Sequence, residues 1–308
     1  MRPDALPSCL LEHYGLRAEL VEPFRDSGNA TFIVYAEGVK YFLRVTKPAF
    51  RDTALTAIEV HAHLQERGFP VPKLYLTTGG QRCLPIESPE GESLLALYEF
   101  LEGAPLETGQ EPEAVGALLG RLHVAMEDFP GKLVTRDRDY FIDRFDRMIR
   151  AKESPQANAF AALGESLWKS VRDLPRGYAH GDAYCGNFHR TPDGRLYLLD
   201  LDTSCRGLPA YDLALAGNAS DYFQLAPDHA LRTREAFGRM LPAYRAHHPL
   251  AEAEERALHR LIALSHFALQ ATIVDIFGLG CVDDQFFDDQ LLWHRQWREQ
   301  CEALGLWS

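Results

Sequence analysis

The hydrophobic period of this chain changes once, near residue 103, and that change limits the folds open to it. Before it, apolar and β-branched residues come in short runs. Thr31-Phe-Ile-Val-Tyr35 and Lys40-Tyr-Phe-Leu-Arg-Val45 are parted by a Glu-Gly step, which predicts a hairpin. A helix over 52–67 follows, with Asp52 as its cap, Leu55, Ile58 and Ala62 on one face and Gly68 as its stop. Prolines then hold 69–72 extended. Residues 74–77 and 94–100 read as strands set between Gly- and Pro-rich turns. After 103 the spacing becomes helical, with Val115, Leu118, Leu119 and Leu122 in phase over 113–126. Similar stretches cover 140–152, 157–171, 211–221, 233–246, 251–277 and 284–304, with one strand–turn–strand passage over 186–201. The pattern predicts a bilobal α+β fold. Its small β-rich N-lobe spans 1–100, its larger helical C-lobe spans 101–308, and its hinge lies at 98–103.

Composition removes several classes of function. With 308 residues, 46% of them hydrophobic, the chain can bury a core without disulfide or metal staples. The six cysteines include no pair within four residues, so zinc and redox CxxC spacings are absent and reduced thiols of a cytoplasmic protein are expected. Met1-Arg2-Pro3-Asp4 lacks the apolar core of a signal peptide. The apolar stretch 261–280 carries Ser265, His266, Gln270, Thr272 and Asp275, which predicts a buried helix and no membrane partner. A net charge of −12 with no Lys/Arg-rich run argues against a general nucleic-acid binder.

Chemistry concentrates in Ala179-His-Gly-Asp-Ala-Tyr-Cys-Gly-Asn-Phe188 and in Leu196-Tyr-Leu-Leu-Asp-Leu-Asp202. Asp182 precedes Asn187 by five residues, and Asp200 follows thirteen later at the end of an apolar strand. Any one of these residues fits an ordinary turn. The ordered set of carboxylate, amide and carboxylate suits phosphoryl transfer, which needs hard oxygen ligands for Mg²⁺ and a carboxylate to take the proton of an attacking hydroxyl. Protein kinases space the same groups in the same way.

His180-Gly-Asp-x-x-x-Gly-Asn187, Leu199-Asp-Leu-Asp202 and Pro209-Ala-Tyr-Asp-Leu-Ala214 resemble the aminoglycoside phosphotransferase, choline kinase and homoserine kinase superfamily, small-molecule kinases with a protein-kinase-like fold. The resemblance runs from about residue 20 to 300 and is strongest over 178–216. It implies ATP and Mg as cofactors, with Asp182 as catalytic base, Asn187 and Asp200 as metal ligands, Asp202 assisting at the metal, and Asp212 bracing the catalytic loop. Arg44 stands where such kinases carry a lysine on the third strand, and Glu59 in the next helix is its implied partner. Ser27 and Gly28 fall in the turn that covers the phosphates, and Glu99 and Leu101 at the hinge that meets the adenine edge.

The expected acceptor is a small-molecule hydroxyl: an amino alcohol, a homoserine-like amino acid, a sugar or an aminoglycoside. His266 and Gln270 share a helix face and could read such a group; a satisfied core histidine is the plainer alternative. Asp283 and Asp284 beside two aromatics suit a cationic acceptor, or simply an acidic helix start. Trp293 and Trp297, one turn apart, read as packing. Two further readings share the fold: a bacterial Ser/Thr protein kinase with a protein substrate, and a nucleotide-binding pseudokinase module, the latter prompted by Arg44.

Overall fold

The computed structural model describes residues 5–27, 29–88 and 91–307. From the N-terminus, helix α1 (Leu6–Tyr14) precedes strands β1 (Ala18–Ser27), β2 (Asn29–Ala36) and β3 (Val39–Thr46). Helix α2 (Arg51–Glu66) and strands β4 (Leu74–Tyr75), β5 (Leu84–Ser88), β6 (Gly91–Glu99) and β7 (Ala104–Pro105) follow. Next come α3 (Pro112–Met126), β8 (Val134–Thr135), α4 (Arg144–Ala151), α5 (Ala157–Val171) and β9 (Gly177–Ala179). The hairpin β10 (Phe188–Arg190) and β11 (Leu196–Leu198) leads to β12 (Cys205–Gly207). Helices α6 (Pro209–Gly217), α7 (His229–Arg245), α8 (Glu252–Phe277) and α9 (Asp284–Ala303) complete the chain.

These elements form two compact units. The first comprises Met1–Pro105, Asp128–Lys132 and Phe188–Ser204; the second comprises Leu106–Glu127, Leu133–Asn187 and Cys205–Ser308. The contiguous division expected from sequence, 1–100 and 101–308, differs because β10 pairs with β7 through His189↔Pro105. That pairing ties the 188–204 hairpin to the first unit.

The first unit is built on an antiparallel sheet in the order β1-β2-β3-β6, with β4 and β5 both on the free edge of β6. Ala36 pairs with Val39 across a two-residue turn in which Glu37 and Gly38 both take positive φ, 54° and 75°. That geometry matches the twist of the strands it joins. Strand parity then sorts the residues. Phe32, Val34, Leu43, Leu95 and Leu97 face a core closed by Leu6 and Leu10 of α1. Ala96 packs on the opposite side with Ile58 and Ala62 of α2. Covered on both faces, β6 is buried from Ser93 to Leu97. Arg44 pairs with Ala96 and so shares the α2 face. Asp52 does not cap α2: Phe50 holds that position, with no side-chain cap, and Asp52 sits in the first turn.

The second unit packs helices around α8 and includes a small sheet in which β12 pairs with β9 and β8. Phe145, Phe160 and Phe267 from α4, α5 and α8 meet edge to face with centroids 5.2–6.0 Å apart. The most apolar 18-residue window of α8 is long enough to cross a membrane, yet 56% of it is buried against its neighbours. That is the pattern of a core helix.

Candidate active site

In the second unit, β9 ends at Ala179 and delivers the His180-Gly-Asp segment. Asp212, in the first turn of α6, is fully buried. Its Oδ2 accepts the His180 backbone N–H at 2.7 Å and its Oδ1 accepts that of Gly181 at 2.8 Å. Gly181 takes φ +80°, a region that favours glycine, and its carbonyl accepts from Arg136 Nη1 at 3.3 Å. The two peptides leading into Asp182 are therefore clamped. Asp182 is half-buried and its own N–H donates to His180 Nδ1 at 3.2 Å. Asn187, buried in a short turn ahead of β10, donates from Nδ2 to the Asp182 carbonyl at 2.7 Å and to its carboxylate Oδ2 at 3.1 Å. The five-residue spacing thus closes a loop in which amide and carboxylate touch.

The first unit carries Asp200, Arg44 and Asp202. Asp200 follows β11 with φ +55° and ψ +75°, and is exposed. A non-glycine residue in that region costs of order 1 kcal/mol or more, and such strain gathers at functional positions. Asp200 leaves the β10–β11 hairpin, in which Phe188 pairs with Leu198. Arg44 does not pair with Glu59. Its Nη2 meets Asp202 Oδ2, which also accepts Asn29 Nδ2 at 3.4 Å. Glu59 is exposed and is taken by Arg82 instead. The reason is geometric: Ile58 and Ala62 turn the inner face of α2 to the sheet, and α2 also packs on the 201–203 turn that bears Asp202.

Ser27 ends β1 with its backbone opposite Asn29, while Gly28 lies outside the described residues. Glu99 closes β6 opposite Tyr41, and its carboxylate accepts the Lys73 N–H at 3.1 Å; Leu101 follows, half-buried.

His266 and Gln270 occupy the interior of the second unit. The His266 ring stacks on Trp293 at 3.6 Å and on Tyr222 at 4.5 Å, and its Nε2 meets Gln290 Oε1 at 2.7 Å. Burial pushes its pKa well below the ordinary value, with neighbouring His294 adding to the effect. This is a satisfied core histidine. Gln270 is wholly buried and neither amide atom has a partner among the described residues. Asp283 caps α9 by accepting the Phe286 N–H at 2.8 Å, and Asp284 accepts from Ser154 Oγ at 3.3 Å, so both acids serve the fold. Trp293 and Trp297 stack at 5.6 Å within the same packed layer.

Sequence reasoning missed His123 of α3, whose Nε2 lies 3.1 Å from Asp212 Oδ2. A usable signal was present, since His123 follows Leu118, Leu119 and Leu122 on a helix that leaves little room for an unpartnered imidazole.

Residues 21–263 match the phosphotransferase enzyme family. A homoserine kinase of Methylobacterium radiotolerans is 27% identical over 314 residues, covering 92% of this chain and 94% of that protein. Among solved structures, the amicoumacin kinase hAmiN in complex with AMP-PNP, Ca²⁺ and Ami superposes with a TM-score of 0.74 at 20% identity, covering 98% of this chain and 94% of that one. A microcompartment-associated aminopropanol kinase gives 0.71 at 16% identity, with 99% of each chain covered.

Proposed function

This chain belongs to the phosphotransferase enzyme family, and from that premise we propose that it transfers the γ-phosphoryl group of ATP to a hydroxyl of a small molecule, with Asp182 as the base. The observation that carries this reading is the clamped Asp182. Two preceding peptide N–H groups are bound by Asp212, and the carboxylate itself receives the Asn187 amide at 3.1 Å. Little mobility is left to the group that must meet an incoming hydroxyl, and positioning supplies much of the catalysis in phosphoryl transfer. As the acceptor oxygen bonds to the γ-phosphorus, its proton passes to Asp182 and ADP leaves with the electrons of the broken P–O bond.

The donor set suits Mg²⁺. Asn187 turns its NH₂ to Asp182, leaving its amide oxygen as a donor, and Asp200 offers an exposed carboxylate. Among the described residues no group of three His, Cys, Asp or Glu forms a protein-only metal cage. That fits an ion held by one or two oxygen side chains with phosphates completing its shell. When bound, the ion neutralises charge on the phosphate oxygens. Arg44 is assigned to the phosphates, Ser27 and Gly28 to the covering turn, and the backbone of Glu99 and Leu101 to the adenine edge. Amino alcohols and homoserine-like amino acids lead the acceptor candidates, supported by the homoserine kinase relative and the aminopropanol kinase likeness; sugars and aminoglycosides follow.

The test is an ADP-release assay with Mg-ATP over choline, amino alcohols, homoserine and other amino acids, sugars and aminoglycosides. One soluble acceptor should stimulate release, and Asp182→Asn should lower kcat by about 10²–10⁴. Full turnover in that variant, or label from ATP appearing only on protein, would overturn the assignment.

A further inference from the structure

We infer that His123 is a positioning residue for the Asp182 loop, the inner end of a hydrogen-bond chain that runs through Tyr244 to His248. The inference rests on the reading of Asp182 as base, and it goes beyond that reading by assigning groups remote from the reacting atoms.

Groups that can only accept fix the direction of the chain. Asp212 takes two backbone N–H donors, one on each oxygen, so both oxygens act as acceptors. His123 Nε2, 3.1 Å from Oδ2, must therefore carry a proton. At the far end His248 Nδ1 lies 2.8 Å from the Pro249 carbonyl oxygen, another acceptor, so this nitrogen is protonated too. Between them stands the Tyr244 hydroxyl, 2.7 Å from His123 Nδ1 and 2.9 Å from His248 Nδ1. A hydroxyl has one proton to give. Because His248 Nδ1 already carries a proton and cannot accept one, the Tyr244 proton goes to His123 Nδ1, and His123 is the neutral Nε2–H tautomer. A doubly protonated His123 would force Tyr244 to donate toward His248 Nδ1. That nitrogen would then face the Pro249 carbonyl as acceptor against acceptor at 2.8 Å.

His123 and Asp212 are both buried, at 3% and 0% exposure, so no bulk water stands ready to replace a lost donor. The chain's task follows from what it holds. Gly181 sits at φ +80°, one of several conformations open to a glycine, and the clamp that selects it is the Asp212 carboxylate on its N–H. His123 fixes the rotation of that carboxylate and, through it, the direction of Asp182.

Two substitutions separate positioning from packing. In His123→Gln the side-chain amide nitrogen falls near the original Nε2 and can still donate to Asp212. In His123→Asn the shorter amide cannot reach. Hydrogen exchange of the peptide spanning 177–184, read without ATP, should rise about tenfold in His123→Asn and stay near wild type in His123→Gln. kcat should follow the same split, with KM for ATP and acceptor unchanged. Long-range ¹H–¹⁵N spectra of the resting protein should show His123 as the Nε2–H tautomer. Tyr244→Phe should leave that tautomer in place while moving the Nδ1 signal to an unbonded position. Equal exchange in the two His123 variants, or an Nδ1–H tautomer, overturns the inference whatever the activity. Absence of phosphotransfer in a protein that shows the expected tautomer and exchange would instead sink the proposed reaction.

Discussion

Arg44, Asp202 and Asn29 meet in the first unit with polar atoms left over. Arg44 Nε, Asp202 Oδ1 and Asn29 Oδ1 are buried and have no partner among the described residues. The Arg44 and Asp202 side chains are only 17% and 23% exposed, so their attraction is less screened than that of a surface pair. Removing one member strands the other's charge. A double-mutant cycle with Arg44→Met and Asp202→Asn, read by urea unfolding, should give a coupling of about 1–3 kcal/mol. Glu59→Ala is expected to cost under about 1 kcal/mol, because its pair with Arg82 is a surface one. A larger loss at Glu59 than at Asp202 would reverse this ranking. The cation at position 44 was legible in the sequence, since the run 41–46 and the resemblance to kinases with a third-strand lysine place it. Its partner was not. Asp202 lies 158 residues away, brought in by a hairpin that pairs back onto the first unit, and no local spacing encodes that return. The clamp at Asp182 was half legible. The spacing from Asp182 to Asn187 fixes a local loop, and Asp212 was expected to brace it, but His123 comes from another helix.

Helix α3 packs so closely on α7 that two of its glycines have backbone for neighbours. A Cβ at Gly116 would stand 2.2 Å from the Met240 carbonyl oxygen, and one at Gly120 would stand 2.7 Å from that of Tyr244. Alanine at 116 gains about 1 kcal/mol of helix propensity but must push two backbones apart, which costs about 1–3 kcal/mol or more. Packing wins because the obstructing atom is main chain. Gly116→Ala should therefore destabilise the protein. Gly238→Ala, on the exposed side of α7 with nothing within 4 Å of the added methyl, should stabilise it by roughly 0.5–1 kcal/mol. Paired thermal melts of the two variants check both signs, and a stabilised Gly116→Ala would refute the close approach. Gly116 and Gly120 lay inside a helical pattern that was plain from Val115, Leu118 and Leu122, yet which helix they met was not. The same division holds for other elements. The 157–171 helix and the long helices α8 and α9 are close to their sequence limits because many apolar residues repeat in phase. Strands β7, β8, β9 and β12 are two or three residues long; they exist only through distant pairings and leave no period to read. The helix expected over 211–221 begins earlier, at Pro209, whose fixed φ suits a first turn, and stops at Gly217 before an extended Asn218.

Across the whole molecule, buried imidazoles and net charge make opposite demands on stability as the pH falls. At −12 the chain repels itself, and protonation toward its pI near 5.5 relieves that repulsion and favours the folded state. The buried histidines act the other way. Burial lowers the pKa of His61 to about 4, of His259 to about 4 and of His294 to about 3, against 6.5 in the open chain, and it holds that of His266 well below the same value. Below pH 6.5 the unfolded chain binds protons that the folded one refuses, so stability rises with pH across that window and is lost on acidification toward pH 4. Keeping one imidazole neutral a full pH unit below its ordinary value costs about 1.4 kcal/mol, and several such groups together outweigh a surface repulsion screened by salt. Carboxylates drawn down by arginine, such as Glu113 by Arg239 and Asp128 by Arg67, add their loss only as pH falls through the carboxylate range. The interval from pH 6.5 to 4.5 therefore isolates the histidines. Urea-unfolding free energy should fall across it. His294 is the cleanest probe, since both ring nitrogens are buried with no hydrogen-bond partner among the described residues and a phenyl ring of similar outline removes the titration without stranding another polar group. In His294→Phe the slope between pH 6.5 and 4.5 should be shallower than in wild type, with the two proteins closest in stability above pH 7. A wild-type stability that rises on acidification through this interval would show that charge repulsion, and not the buried imidazoles, governs the acid side.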